Sequence, residues 1–148
     1  MAASNNTDNL GSELIDFSLI GVDGKIYSSD DFKNAEVLII IFMCNHCPYV
    51  KGIIDRFTEF QNKYESRNVQ LAGINSNDTV NYPEDSFENM KLFSSERKMN
   101  FPYLFDESQE IAKKYKAVCT PDIFVYDKNR ILKYRARFHN NMKEEKNK

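Results

Sequence analysis

Glu36-Val37-Leu38-Ile39-Ile40-Ile41-Phe42-Met43-Cys44-Asn45-His46-Cys47-Pro48 decides how this chain folds. The run from 37 to 43 is apolar without alternation, as expected of a central strand covered by helices on both faces. Two cysteines separated by two residues follow it directly. Beyond them Val50, Ile53, Ile54, Phe57, Phe60 and Tyr64 recur at helical spacing, with Lys51, Asp55, Arg56, Glu59 and Lys63 between them. The cysteine pair therefore sits where a buried strand turns into an amphipathic helix. Backbone N–H groups and the positive end of the helix dipole at such a junction favour a thiolate, the form that attacks disulfides.

Toward the N-terminus, residues 14–19 and 25–27 flank a Gly21-Val22-Asp23-Gly24 turn and read as a β-hairpin, followed by a capped helical turn over 28–34. Residues 1–12 are polar and rich in Asn and Ser, and read as a disordered lead. Downstream, 69–74 reads as a second strand, 75–85 as an Asn-rich loop where a substrate-facing insertion could sit, and 86–98 as a helix. Phe101-Pro102-Tyr103-Leu104-Phe105 is a short extended piece. Asp106 and Gln109 have the spacing of a capping box opening a helix through Tyr115. Residues 123–126 and 131–135, joined by Asp127-Lys128-Asn129-Arg130, form an antiparallel hairpin. The order β-hairpin, β, α, β, α, α, β, β defines an α/β domain over residues 13–138, and 139–148 is a charged, lysine-rich tail.

A chain of 148 residues with 41% hydrophobic and 13% aromatic side chains fits one domain whose core needs no disulfide staples. Twenty basic against 22 acidic residues give a net charge of -2, which provides no global attraction to nucleic acid and no polybasic membrane surface. Three cysteines, two of them so close together, do not form a secreted disulfide scaffold. The start lacks the basic and apolar segments of a signal peptide, and no window approaches the roughly 20 apolar residues of a membrane span. The expectation is a soluble, cytoplasmic protein with neither nucleic acid nor membrane as partner.

Cys44 is expected to be an exposed nucleophile, and Cys47, one helical step further in, a buried resolving thiol that closes a small disulfide ring. His46 between them would stabilise the Cys44 thiolate, and with it the dithiol, making the disulfide more oxidising. Zinc is the competing reading, since Cys44, His46, Cys47 and Cys119 are nominally four ligands. Three of the four from one tight turn would be strained. Thr120-Pro121 is the second informative site: a proline that begins a strand beside a reactive sulfur can take the cis form and present the Thr120 backbone to an incoming peptide. Cys119 reads as a small buried hydrophobe.

Residues 42–51, Phe-Met-Cys-Asn-His-Cys-Pro-Tyr-Val-Lys, together with Gly73-Ile74-Asn75-Ser76-Asn77-Asp78, Tyr82-Pro83-Glu84-Asp85, 101–106 and Val118-Cys119-Thr120-Pro121-Asp122, resemble the thioredoxin-like superfamily. The resemblance is to the redoxin branch related to alkyl hydroperoxide reductase and thiol-specific antioxidant proteins (AhpC/TSA), and runs from residue 14 to about 137. It implies a thioredoxin-like fold with a central mixed β-sheet flanked by helices, an N-terminal β-hairpin extension, and a Cys-Asn-His-Cys redox centre. In that frame Cys44 is the nucleophile, Cys47 the resolver and Pro121 the cis-proline opposite them. Asn45, Thr120 and Pro121 contact substrate, with no metal and no bound cofactor. The implied reaction is thiol-disulfide exchange with a protein dithiol or disulfide substrate, served by a separate electron donor.

Departures from the family pattern keep other readings open. The peroxiredoxin pattern places a threonine three residues before its peroxidatic cysteine, whereas here Ile41 precedes Cys44 and Cys44 precedes Cys47 at that distance. A thiol peroxidase is therefore the second reading, and a metal-binding module using Cys44, Cys47 and Cys119 the third. Thioredoxin proper has a Trp, a Gly-Pro and a buried strand acid where this chain has Met43, Asn45-His46 and Leu38, which leaves no obvious base for Cys47. The His before the second cysteine is similar to DsbA-type oxidants. The family usually closes with a helix, and the short, polar stretch 138–148 implies that this helix is short or missing.

Overall fold

The computed structural model describes residues 3–5, 10–45, 48–117 and 121–138. Its strands are β1 (Ala3–Asn5), β2 (Ser18–Gly21), β3 (Ile26–Ser28), β4 (Val37–Phe42), β5 (Val69–Asn75), β6 (Tyr103–Phe105), β7 (Asp122–Tyr126) and β8 (Leu132–Phe138), and its helices α1 (Pro48–Tyr64), α2 (Phe87–Glu96) and α3 (Glu110–Tyr115). The apolar run becomes β4, mid-sheet in the order β1-β8-β7-β4-β5-β6-β2-β3. It is parallel to β5 and antiparallel to β7, so the sheet is mixed.

Alternation along β4 divides the core. Leu38, Ile40 and Phe42 face a cluster with Phe32, Ile111, Tyr115 and Phe124, and so lie under α3 and the short turn Ser29–Phe32. Ile39, Ile41 and Met43 face Ile54, Met90, Phe93 and Tyr103, and so lie under α1 and α2. Leu38, Ile40 and Ile41 are 0% exposed, and burial of each contributes about 1.5–3 kcal/mol. This is the two-sided cover that an unbroken apolar strand requires.

The N-terminal hairpin forms about the expected turn, with its first strand at Ser18–Gly21 rather than 14–19. Gly24 closes it at φ +85, a conformation that suits glycine; the Gly21 N–H donates to the Lys25 carbonyl at 2.8 Å and the Gly24 N–H to the Gly21 carbonyl at 2.9 Å. Its strand β2 pairs with β6, so the hairpin extends the sheet at one edge. The piece at 101–105 is thus a sheet strand, parallel to β5 over three residues, rather than merely an extended segment.

Three further details differ from the sequence reading. Within the stretch expected to be disordered, Ala3–Asn5 pairs antiparallel with β8, and Gly11 and Ser12 exchange backbone bonds with Leu132. These contacts use main-chain groups only, so a polar sequence makes them as well as an apolar one. Asp106 and Gln109 make no capping box. Gln109 adopts φ 65 as the α3 cap, and the Asp106 carboxylate instead accepts the Ala112 N–H at 3.0 Å and the Ser76 hydroxyl at 2.6 Å. Helix α2 ends at Glu96 and is capped by Ser86, whose hydroxyl accepts the Asn89 N–H. The tail 139–148 and the closing-helix expectation lie outside the described residues. No helix among the described residues is long and apolar enough to cross a membrane.

Candidate functional site

Strand β4 delivers Cys44 to the carboxyl end of the sheet. The ladder continues one residue past Phe42, with the Met43 N–H donating to the Ile74 carbonyl at 2.9 Å, and Cys44 leaves the sheet there. It is 1% exposed, which corrects the expectation of an exposed nucleophile. The reason is placement: α1 starts at Pro48, so Cys44 belongs to the end of a buried strand rather than to the first turn of a helix.

The residue after it is held from three directions. The Asn45 N–H donates to Asp85 Oδ1 at 2.6 Å, its Nδ2 donates to the Glu84 carbonyl at 2.9 Å, and its Oδ1 accepts the Tyr103 hydroxyl at 2.7 Å. Asn45, expected to contact substrate, thus has internal partners for its whole side chain and is 5% exposed. Asp85 and Tyr103 are both fully buried. The loop carrying Asp85 is built by its own asparagines: Asn77 Nδ2 donates to Asp85 Oδ2 at 2.9 Å, Asn75 Nδ2 to the Asp85 carbonyl at 3.0 Å, and the Asn77 N–H to Asn75 Oδ1 at 3.0 Å. Burial pushes the Tyr103 phenol well above its ordinary value, and Cys44 and Asp85 nearby push it further in the same direction. Gly73 makes room for this arrangement, since a Cβ there would meet Met43 Sδ at 2.8 Å and Tyr103 Cδ1 at 3.3 Å.

On the other flank, β7 pairs Asp122 with Phe42, so continuing that register by one residue sets the buried Pro121 against Met43. Asp122, 0% exposed, accepts Arg135 Nε at 3.2 Å and Arg135 Nη2 at 2.8 Å. Arg135 Nη2 also donates to the Lys116 carbonyl at 2.8 Å, and the guanidinium lies 4.2 Å over the Phe124 ring. One buried arginine thereby pins both ends of the segment that leads from α3 into Pro121. Buried acids do border the end of β4, but they come from neighbouring elements rather than from the strand itself.

The structure therefore brings together Cys44 and Asn45, and the register of β7, run back by one residue, sets Pro121 opposite Met43. His46, Cys47, Cys119 and Thr120 lie outside the described residues, and with them the cysteine pairing, the Thr120–Pro121 peptide and the zinc alternative. Among the described residues no group of three or more His, Cys, Asp or Glu could hold a metal ion. Asp85, Tyr103 and the Asp122–Arg135 pair were not singled out from the sequence. The one local signal was Tyr82-Pro83-Glu84-Asp85, a rigid acidic turn placed immediately before a helix cap. Beside Asn45 a cleft of about 500 Å³ opens between Glu84 and the α2 residues Asn89, Leu92, Phe93 and Glu96.

Comparison with solved structures finds relatives of this chain. A hypothetical protein from Sinorhizobium meliloti is 36% identical with a TM-score of 0.83, the match covering 86% of this chain and 70% of that one. An uncharacterized conserved protein from Geobacillus kaustophilus is 42% identical with a TM-score of 0.84, covering 91% and 72%. The thioredoxin domain of a thiol-disulfide oxidoreductase from Bacteroides vulgatus is 15% identical with a TM-score of 0.73, covering 93% and 95%, a likeness of fold. No curated protein matches the chain. The fold is thioredoxin-like, and because the AhpC/TSA family matches residues 10–135, the chain belongs to that family.

Proposed function

We propose that the chain is a thiol-disulfide oxidoreductase that exchanges disulfides with a protein partner, with Cys44 as nucleophile and Cys47 as resolving thiol. The observation that carries this reading is Cys44 at the carboxyl end of the central strand of an AhpC/TSA family member, beside the strand that follows Pro121. The Cys44 thiolate attacks one sulfur of the partner disulfide, and the other partner sulfur leaves and takes up a proton. The Cys47 thiolate then attacks the mixed disulfide, releasing the second partner thiol. The partner gains two electrons, and the pair is left as a Cys44–Cys47 disulfide for a dithiol electron donor to reduce. The same steps in reverse oxidise a partner dithiol.

His46 tunes the sulfur, and Thr120 and Pro121 receive the partner's backbone in this reading. Asn45 contributes through its main chain, its side chain being bonded internally. Since Cys44 is buried, exchange includes a local opening that exposes the sulfur. The reading involves no cofactor, and places the protein in the cytoplasm.

The test is a glutathione redox titration with alkylation and mass spectrometry of the cysteine peptides. A Cys44–Cys47 disulfide near roughly -270 mV makes the protein a reductase, and one near roughly -120 mV an oxidant or isomerase. Absence of that disulfide removes the exchange reading. The family match favours a second reading, a thiol peroxidase. It requires hydrogen peroxide to oxidise Cys44 or Cys47 far faster than free cysteine, and ordinary thiol rates dispose of it.

A further inference from the structure

The cleft beside Asn45 has a volume of about 500 Å³ and begins one residue from Cys44, whose Cα lies about 3.8 Å from that of Asn45. Its walls are held together before anything enters. The Asn89 side chain on α2 donates to the Pro83 carbonyl at 2.9 Å, and the Asn45 side chain donates to the next carbonyl, that of Glu84, at 2.9 Å. Behind α2 the Phe93 ring packs 6.2 Å from that of Tyr103. A preformed cleft of this size suits a side chain or a small ligand.

Two kinds of surface line it. Leu92, 58% exposed, and Phe93 supply an apolar wall, and Glu84 and Glu96 bring two exposed carboxylates. Among the described residues neither carboxylate makes a hydrogen bond or ion pair, in contrast to Glu88, which meets Lys91 at 3.4 Å. Arg97 also borders the cleft but pairs with neither Glu84 nor Glu96, so the lining keeps a net negative charge. A long aliphatic stem ending in a cation matches both surfaces at once.

We propose that this cleft seats a lysine or arginine side chain of the partner protein, within a few residues of the cysteine that Cys44 attacks. This rests on the exchange reading above and deepens it by giving a substrate class: disulfides whose flanking sequence is basic. The stem lies along Leu92 and Phe93, and the cationic head comes to Glu84 and Glu96. An extended chain advances about 3.3–3.6 Å per residue, so a residue seated beside Asn45 stays close in sequence to the attacked cysteine. A partner with acidic residues there meets two like charges and is disfavoured.

The probes are fluorescein-labelled peptides with a central serine and arginine, glutamine or glutamate at every second position on both sides. By anisotropy at low salt, the arginine peptide is expected to bind the full chain about tenfold more tightly than the glutamine peptide, with the glutamate peptide weakest. Glu84→Gln combined with Glu96→Gln is expected to bring the arginine and glutamine peptides within about twofold of each other, and Arg97→Gln to strengthen the arginine peptide about threefold. Glu107→Gln with Glu110→Gln removes the same charge at the start of α3, on the other face of the sheet, and is expected to leave most of the preference in place. Equal affinity of the parent chain for the arginine and glutamine peptides, a preference for glutamate, or a preference that survives Glu84→Gln with Glu96→Gln overturns the proposal. Exchange is followed separately with the same peptides carrying, in place of serine, a cysteine bonded to thionitrobenzoate; the arginine form is expected to release the coloured thiolate about tenfold faster than the glutamine form. Peptides ranked in binding but equal in exchange put the basic side chain away from the reacting cysteine, and overturn the proposal too. If no peptide disulfide reacts, the exchange reading fails by itself, and the anisotropy ranking still decides what the cleft holds.

Discussion

Two buried carboxylates border the end of β4, Asp85 on the β5 side and Asp122 on the β7 side, and their partners differ in kind. Asp122 accepts a two-pronged bond from a guanidinium that is itself 1% exposed. The bonds described for Asp85 come from a main-chain N–H and an asparagine amide, both neutral. A charge matched by its counter-charge exerts little field at a distance and serves to hold segments in place. The bonds described for Asp85 hold the peptide that follows Cys44 to a loop forty positions downstream. The first flank ties two neighbouring strands together, and the second ties a loop to the end of β4.

The largest effect is expected from alkali, which acts on both flanks. Burial raises the phenols of Tyr103, Tyr115 and Tyr126 above the ordinary value of 10.0. A raised folded-state value means that the unfolded chain releases these protons first. The contribution is complete below about pH 10 and is lost as pH climbs toward the folded-state values, at about 1.4 kcal/mol per unit of separation. Urea denaturation at stepped pH is expected to show a loss on the order of 5 kcal/mol by about pH 12. Tyr103→Phe is expected to remove only the share belonging to the Asp85 flank. An unchanged alkaline limb in that variant would break the assignment of Tyr103 to a buried site.

Next in size is Arg135→Ala, which removes the two-pronged bond to buried Asp122 and leaves it only the longer contact with Arg137 Nε at 3.9 Å, and is expected to cost about 3 kcal/mol by urea denaturation. Replacing both partners, Asp122→Leu with Arg135→Met, is expected to recover most of that loss. A single-variant cost under about 1 kcal/mol would end the description of this flank as a charge-matched clamp. Gly73→Ala acts on the opposite flank alone, forcing Met43 and Tyr103 aside at an expected cost of about 1–3 kcal/mol. Its sharper consequence is altered alkylation of Cys44 with little change at Pro121. The smallest effect belongs to Glu88→Gln, which breaks an exposed pair with Lys91 at 3.4 Å and is expected to cost under about 0.5 kcal/mol. Set beside Arg135→Ala, it measures what burial adds to a pair of the same type.

Periodicity made most of the fold legible. The unbroken run 37–43, the helical spacing after Cys47 and the glycine turn at 21–24 each answer to a local rule, and each is found in place. What escaped was structure that no side-chain pattern encodes. Strand β1, Ala-Ser-Asn, is a main-chain pairing with no apolar alternation, and β6 is three residues long. Asp106 caps α3 by reaching six residues along the chain instead of three. The site divides in the same way. Cys44 and Pro121 were legible because they stand at strand ends. The burial of Cys44 was not, because spacing alone does not say whether Cys44 ends the strand or opens the helix. Arg135 was hidden for a similar reason: an arginine in a strand reads as facing solvent until a carboxylate is found beneath it.

The pairing of Ala3 with Phe138 gives the sheet an order in time as well as in space. Closing a loop costs entropy that grows with the logarithm of its length, and β4 meets β5 across a single helix, whereas β1 meets β8 across nearly the whole domain. The parallel pair at the centre can assemble while the chain is still largely open, and β1 can dock only on a β8 already in position. Ala3–Asn5 is therefore the last segment to be added during folding and the first to fray, and its opening leaves the machinery around Cys44 intact.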